Sequence, residues 1–85
     1  MNEREPGRNG VRPLDELAPG EAGVVVSVDA DAAIARRLME LGLVPGTTVE
    51  VVRRAPLGDP IELRLRQVHL SIRRSEAERI HVASA

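Results

Sequence analysis

The apolar positions of this chain switch between a spacing of two and a spacing near 3.6, and the switches divide it into elements. Val24, Val26 and Val28 alternate with Val25, Ser27 and Asp29, which predicts a first strand. Over residues 32–41 the spacing lengthens. Ile34, Ala35, Leu38, Met39 and Leu41 form one stripe, and Arg36, Arg37 and Glu40 lie off it, as in an amphipathic helix. Asp29 or Asp31 is placed to cap that helix. A helix so short is not stable alone, so its stripe must cover a sheet. Gly42 is the residue type that ends a helix in the left-handed conformation, and Pro45-Gly46 is a type II turn pair.

Alternation then returns. Val49 and Val51 oppose Glu50 and Val52, giving a second strand. Ile61, Leu63 and Leu65 face inward against Glu62, Arg64 and Arg66 in a third. Val68, Leu70 and Ile72 point inward in a fourth, with His69, Ser71 and Arg73 outward. A tight hairpin must join these two strands. A turn at Arg66-Gln67 pairs Leu65 with Val68, Leu63 with Leu70 and Ile61 with Ile72. A turn one residue later would force β-branched Val68 to positive φ. Glu76 to Arg79 makes one helical turn, and Ile80 and Val82 close the sheet as a fifth strand. Upstream, Leu14 and Leu17 are spaced for one helical turn that Pro19-Gly20 ends.

Five short strands with one helix after the first predict a mainly β fold, a small, partly open β-barrel with one inserted α-helix. Closing the sheet reduces its exposed edges. The expected core is Val26, Ile34, Leu38, Leu41, Val49, Val51, Leu63, Leu65, Leu70, Ile72 and Ile80. Residues 1–12 read as a disordered tail, with Glu3, Arg4, Glu5 and Arg8 among Pro6, Gly7 and Gly10. The domain is then residues 13–85. With 85 residues there is room for one small core, which buries roughly 60% of the unfolded surface. No run of 18 apolar residues and no signal-peptide pattern is present, so a soluble protein is expected, with any membrane association made through a partner.

Composition removes several functions. There is no cysteine, hence neither disulfides nor thiolate metal ligands, which fits a cytosolic protein. There is no Phe, Tyr or Trp, so no platform for stacking bases and no aromatic groove for proline-rich peptides. A formal net charge of −1 also argues against a phosphate-backbone binder, so no nucleic-acid partner is expected. Nor is this an enzyme: Ser27, Ser71 and Ser75 have no His or Asp at a motif spacing, and Gly42 and Gly46 are turn residues without a following Gly-Lys-Ser.

Three groups remain as candidate sites. His69, His81, Glu50, Asp59 and Glu62 have the chemistry of transition-metal ligands. The two histidines lack a ligand spacing and sit on outward strand positions, so plain exposed polar residues are the favoured reading, with no cofactor and only weak metal binding. His69, His81 and Glu62 are the weak metal candidates. Arg36 and Arg37, off the helical stripe, either solvate the helix, with Arg36 pairing Glu40, or recognise carboxylates on a partner. The loop at residues 55–60, stiffened by Pro56 and Pro60 and bent at Gly58, either presents Leu57 to solvent at low entropic cost or folds it back over the barrel mouth.

The ordered set Leu14-Asp15-Glu16-Leu17, Pro19-Gly20, Gly23-Val24-Val25, Arg36-Arg37-Leu38, Glu40-Leu41-Gly42-Leu43, Pro45-Gly46-Thr47, the 55–61 loop, Leu70, Arg73, Glu76-Ala77 and Ile80-His81-Val82 closely resembles the ferrous-iron transport protein A (FeoA) family. The match covers residues 14–82 and departs at Gln67, where the family usually has glycine. The resemblance implies an SH3-like barrel, also found at the C-terminus of iron-dependent repressors. It further implies a cytoplasmic accessory protein of ferrous-iron transport, held at the inner face of the membrane by docking on the cytoplasmic GTPase domain of the ferrous-iron permease (FeoB-like). Weak self-association is a further option. Two docking surfaces are expected: the helix and its exit, Arg36, Arg37, Met39 and Leu43, and the loop carrying Leu57 and Asp59. The competing reading is a transition-metal-binding regulatory module like the repressors' barrel. No DNA-binding helix pair precedes the barrel here, so such a module would act on a separate chain.

Overall fold

Two β-bulges decide which side chains enter the core. The computed structural model describes residues 10–85. Its strands are β1 (Val11–Pro13), β2 (Ala22–Val28), β3 (Thr48–Arg54), β4 (Ile61–Leu65), β5 (Val68–Ile72) and β6 (Ile80–Ser84). A 3-10 turn at Leu14–Glu16 follows β1, α1 (Ala32–Glu40) follows β2, and the single turn α2 (Arg74–Ala77) precedes β6. The strands form one open antiparallel sheet in the order β1-β6-β2-β3-β4-β5. This is the mainly β architecture expected, with six strands rather than five. The additional strand is β1, which pairs Val11 with Ala83 and Pro13 with His81. Val11 and Arg12 therefore belong to the sheet and not to a tail. The expectation for residues 1–9 lies outside the described residues.

In β2 the alternation is broken between Val25 and Ser27, where the register against β6 shifts. Gly23 and Val25 are buried, and Val26 is 45% exposed. Gly23 lets β6 approach, since a Cβ there would lie 2.9 Å from Val82 Cγ2. The inward set is therefore Gly23 and Val25 before the bulge and half-buried Val28 after it, and Val26, the expected core residue of this strand, is not part of it. A bulge inserts one residue and flips the faces beyond it, which the valine run could not reveal. In β3 a second bulge between Val51 and Arg53 follows the two valines that do face inward. Beyond it the half-buried Arg54 guanidinium donates to the carbonyls of Asp15 and, at 2.7 Å, Leu17, tying the 3-10 turn to the sheet.

The core is one cluster: Leu14, Leu17, Val25, Leu38, Leu43, Val49, Val51, Ile61, Leu63, Leu65, Ile72, Ala77, Ile80 and Val82. Of the expected core, Leu38, Val49, Val51, Leu63, Leu65, Ile72 and Ile80 are buried, and Leu70 is half-buried against the cluster. Ile34 and Leu41 join Val26 in being exposed. Only Leu38 of α1 is fully buried, so this helix rests on the sheet by a narrow line of contact. Val68, expected inward, is 53% exposed at the open edge of β5.

The ends of α1 follow from local chemistry. Asp31 is the N-cap, its Oδ1 accepting from the Ile34 amide at 3.0 Å. At the other end Leu43 N–H donates to Leu38 O and Gly42 N–H to Met39 O, with Gly42 at φ 108°. That bond pair is a Schellman cap, whose apolar partners are the third-last helical residue and the second residue past the cap. Here these are Leu38 and Leu43, both fully buried.

Candidate functional site

The 55–60 loop leaves β3 and returns into β4. Its base is closed by Ala55 N–H to Pro60 O at 3.1 Å and its bend by Gly58 N–H to Ala55 O at 2.7 Å. Gly58 holds φ 86°, and the Asp59-Pro60 peptide is cis. Leu57 at the tip is 93% exposed: the loop presents it to solvent and does not fold it over the barrel. Asp59, expected as a docking contact, is exposed and also has a structural task. Its Oδ1 accepts the Arg74 amide at 3.0 Å, so it anchors the loop to α2.

The helical surface divides in the same way. Arg36 and Met39 are exposed, and Arg36 makes no pair with Glu40 among the described residues. Arg37 is committed. Its guanidinium pairs with the buried carboxylate of Glu76, whose other oxygen accepts the Arg73 amide at 2.9 Å. Glu76 thus caps α2 and holds α1 against it, and breaking one partner of such a pair leaves a buried charge uncompensated. The sequence reading missed this role, because the partners are 39 positions apart and no local pattern links them. Leu43, expected on the docking surface, is fully buried as the apolar partner of the helix cap.

The end of the loop and α1 border one groove, although of the six expected docking residues only Arg37 lines it. A groove of about 540 Å³ runs between α1 and the β5–α2 corner, and it is lined by Ile34 and Arg37 on one wall, Pro60 at the loop end, and Ser71, Ile72 and Arg73 opposite. Of the two docking surfaces expected, Arg36, Arg37 and Met39 on α1 and Leu57 and Asp59 on the loop are exposed, and Leu43 is not.

The metal candidates do not come together. Glu62 pairs with Arg53 at 3.0 Å, and Glu50 pairs with Arg64. His69 lies on β5 opposite Arg64. His81 lies on β6, with β2, β3 and β4 between it and β5 in the sheet. It is half-buried rather than outward, and its Nε2 is buried without a hydrogen-bond partner. Among the described residues no group of three or more His, Asp or Glu side chains is placed to hold a metal ion, and no helix is long and apolar enough to cross a membrane.

Comparison with known proteins places this geometry in a family. The FeoA domain family model matches residues 12–84. A Fe(2+) transport protein A/Fe(2+) transporter FeoB fusion protein of Porphyromonas gingivalis is 39% identical over 69 residues, which cover 81% of this chain and 8% of that protein. The chain therefore spans less than a tenth of that relative. The solution structure of FeoA from Chlorobium tepidum is 50% identical, with 85% of this chain and 69% of that one covered and a TM-score of 0.80. The zinc-complexed crystal structure of FeoA from Stenotrophomonas maltophilia, described as a prokaryotic SH3 domain protein, is 40% identical over 82% of this chain and 87% of that one, with a TM-score of 0.73. A manganese-dependent transcriptional repressor, 21% identical, shares the fold over 88% of this chain and 42% of its own, with a TM-score of 0.80.

Proposed function

We propose that this chain, which belongs to the FeoA domain family, is a non-enzymatic accessory of ferrous-iron transport that docks on the cytoplasmic GTPase domain of a FeoB-like permease. It would do so at the inner face of the membrane, reaching the bilayer only through that partner. The observation that carries this reading is the Porphyromonas gingivalis protein, in which a relative of this chain is fused to the transporter FeoB. Fusion keeps two modules at high effective concentration, and it is advantageous where they act on one another.

The surface supports docking through Leu57 and Arg36. Interface energy concentrates in a few anchors, and Leu57, held out by a loop tied at both ends, loses little entropy when it is buried. Arg36 offers a guanidinium beside Met39 on the exposed side of α1. Arg37 and Leu43 are left out of this surface because they hold the fold together.

Biolayer interferometry against the permease's cytoplasmic domain from the same genome tests the reading. Leu57→Asp is expected to weaken binding at least about tenfold with an unchanged circular-dichroism spectrum, and Arg36→Glu to slow association through charge reversal. Parental binding to both folded variants would remove the assigned surface. A parent that binds in no nucleotide state, and fails to support iron uptake in cells lacking the gene, would remove the function. The metal-responsive alternative draws support from the zinc complex of the Stenotrophomonas maltophilia protein, but the separation of His69 from His81 disfavours it.

A further inference from the structure

The two edges of the sheet differ in kind. β1 is three residues long and ends in Pro13, which has no N–H to offer. That is a blunted edge. β5 is five residues long, pairs with β4 without a bulge and contains neither proline nor a formally charged residue. It has none of the usual devices that keep an edge strand from pairing.

Register identifies the groups it offers. The two-residue turn at Arg66-Gln67 makes Leu65 and Val68 a hydrogen-bonded pair, and therefore also Leu63 with Leu70 and Ile61 with Ile72. The N–H and C=O groups of His69 and Ser71 then point away from β4, to the open side. The next amide on that side, Arg73 N–H, is already held by Glu76 Oε1 at 2.9 Å, so the free ladder stops there. Among the described residues no other strand pairs with β5. Room is available at its C-terminal half, where the groove is walled by Ser71 and Ile72 on one side and Ile34 on the other.

Charge decides the occupant. Arg66 precedes β5, and Arg73 and Arg74 follow it, all exposed, although the Arg74 guanidinium already lies 3.7 Å from Asp15 and 3.8 Å from Glu78, so Arg66 and Arg73 contribute more. A second copy could use all four free groups only by pairing His69 with Ser71 of its partner, a register centred on Leu70. That register brings Arg66, in the hairpin turn of one copy, toward Arg73 and Arg74 at the strand end of the other, so that two cationic ends face each other. A strand carrying carboxylates at both ends meets the same arginines favourably.

We propose that β5 accepts, as an added antiparallel strand, an extended segment of another protein with a neutral β-branched centre and acidic residues at both ends. Main-chain bonds to His69 and Ser71 supply the pairing, and the arginines set its specificity. This surface is separate from Leu57, and its test involves no permease.

The probe is the synthetic peptide Glu-Glu-Val-Thr-Val-Thr-Val-Glu-Glu, capped at both ends, titrated into the full chain and followed by nitrogen-15 NMR and amide exchange. The His69 and Ser71 amides are expected to shift and to exchange at least about fivefold more slowly. A peptide with lysine in place of glutamate should bind about tenfold more weakly or worse. Ser71→Pro removes an edge amide without touching the β4 ladder and should abolish binding, while Ser71→Ala retains it. If Ser71→Pro does not fold, methylating the peptide amides that face β5 must abolish binding to the parent. Equal binding of both peptides, or shifts confined to other surfaces, would overturn the proposal. So would a concentration-dependent dimer that protects the same amides without peptide, because the occupant would then be a second copy.

Discussion

Arg66 stands at φ 57°, the only described residue other than glycine at positive φ. The family pattern places its glycine one position later, at Gln67, yet the left-handed position in this hairpin is Arg66. A side chain there costs about 1–2 kcal/mol, partly offset because glycine loses more chain entropy on folding, roughly 0.5–1 kcal/mol. Arg66→Gly is therefore expected to raise the melting midpoint by a few degrees, measured by thermal circular dichroism. Gly42→Ala should do the reverse. At φ 108°, with a Cβ that would fall 2.9 Å from Leu65 Cδ1, it should lose about 1–3 kcal/mol. Glu21 gives a pH handle. Folding lowers its carboxyl pKa, led by the Ala18 amide, which donates to Oε1 at 2.7 Å; partial desolvation opposes this shift, and Arg12 adds to it. A lowered folded pKa contributes stability that is complete above the unfolded value and lost as pH falls through the folded one. Between about pH 6 and pH 3 the parent should lose slightly more stability than Glu21→Gln, as read from urea midpoints.

Elements were legible where the pattern was regular and opaque where one residue was inserted. The β4–β5 hairpin has the register read from the sequence, Leu65 with Val68 through Ile61 with Ile72, because alternation runs unbroken on both sides of a two-residue turn. The start of α1 at residue 32 was equally plain, since Asp31 supplies the acceptor its first turn lacks. β2 was misread because its run of valines satisfies either face, and only the bulge between Val25 and Ser27 chooses. Leu43 was misread because the residue after a helix-ending glycine looks like a loop, whereas the cap itself buries it. β1 escaped notice because three residues ending in proline carry no periodicity. The reassigned core is testable as a contrast: Leu38→Ala, fully buried, should cost about 2–5 kcal/mol. Val26→Ala should cost well under 1 kcal/mol despite its place in an apolar run. Equal losses in chemical denaturation would mean that Val26 lies inside the core after all.

At the scale of the whole molecule, the sheet order governs what distant residues can do together. It brings the 55–60 loop and α1 to a shared groove, a juxtaposition that no spacing in the sequence encodes, and it keeps the two histidines apart. His69 and His81 are on β5 and β6, neighbours in the chain order of strands but separated by three strands in the sheet. A tight transition-metal site needs several ligands converging on one point with fixed geometry. Here Glu62 and Glu50 are engaged by Arg53 and Arg64, and displacing those arginines would carry its own cost. Zinc or iron(II) is therefore expected to bind this chain weakly. Changing His69 and His81 together to alanine should alter that affinity by no more than about twofold, because each histidine acts as a lone ligand. Anaerobic calorimetry on the parent and the double variant decides the matter. A stoichiometric submicromolar site that vanishes in the double variant would show that two copies, or a rearranged sheet, bring the histidines together, and the metal-responsive reading would then displace the docking one.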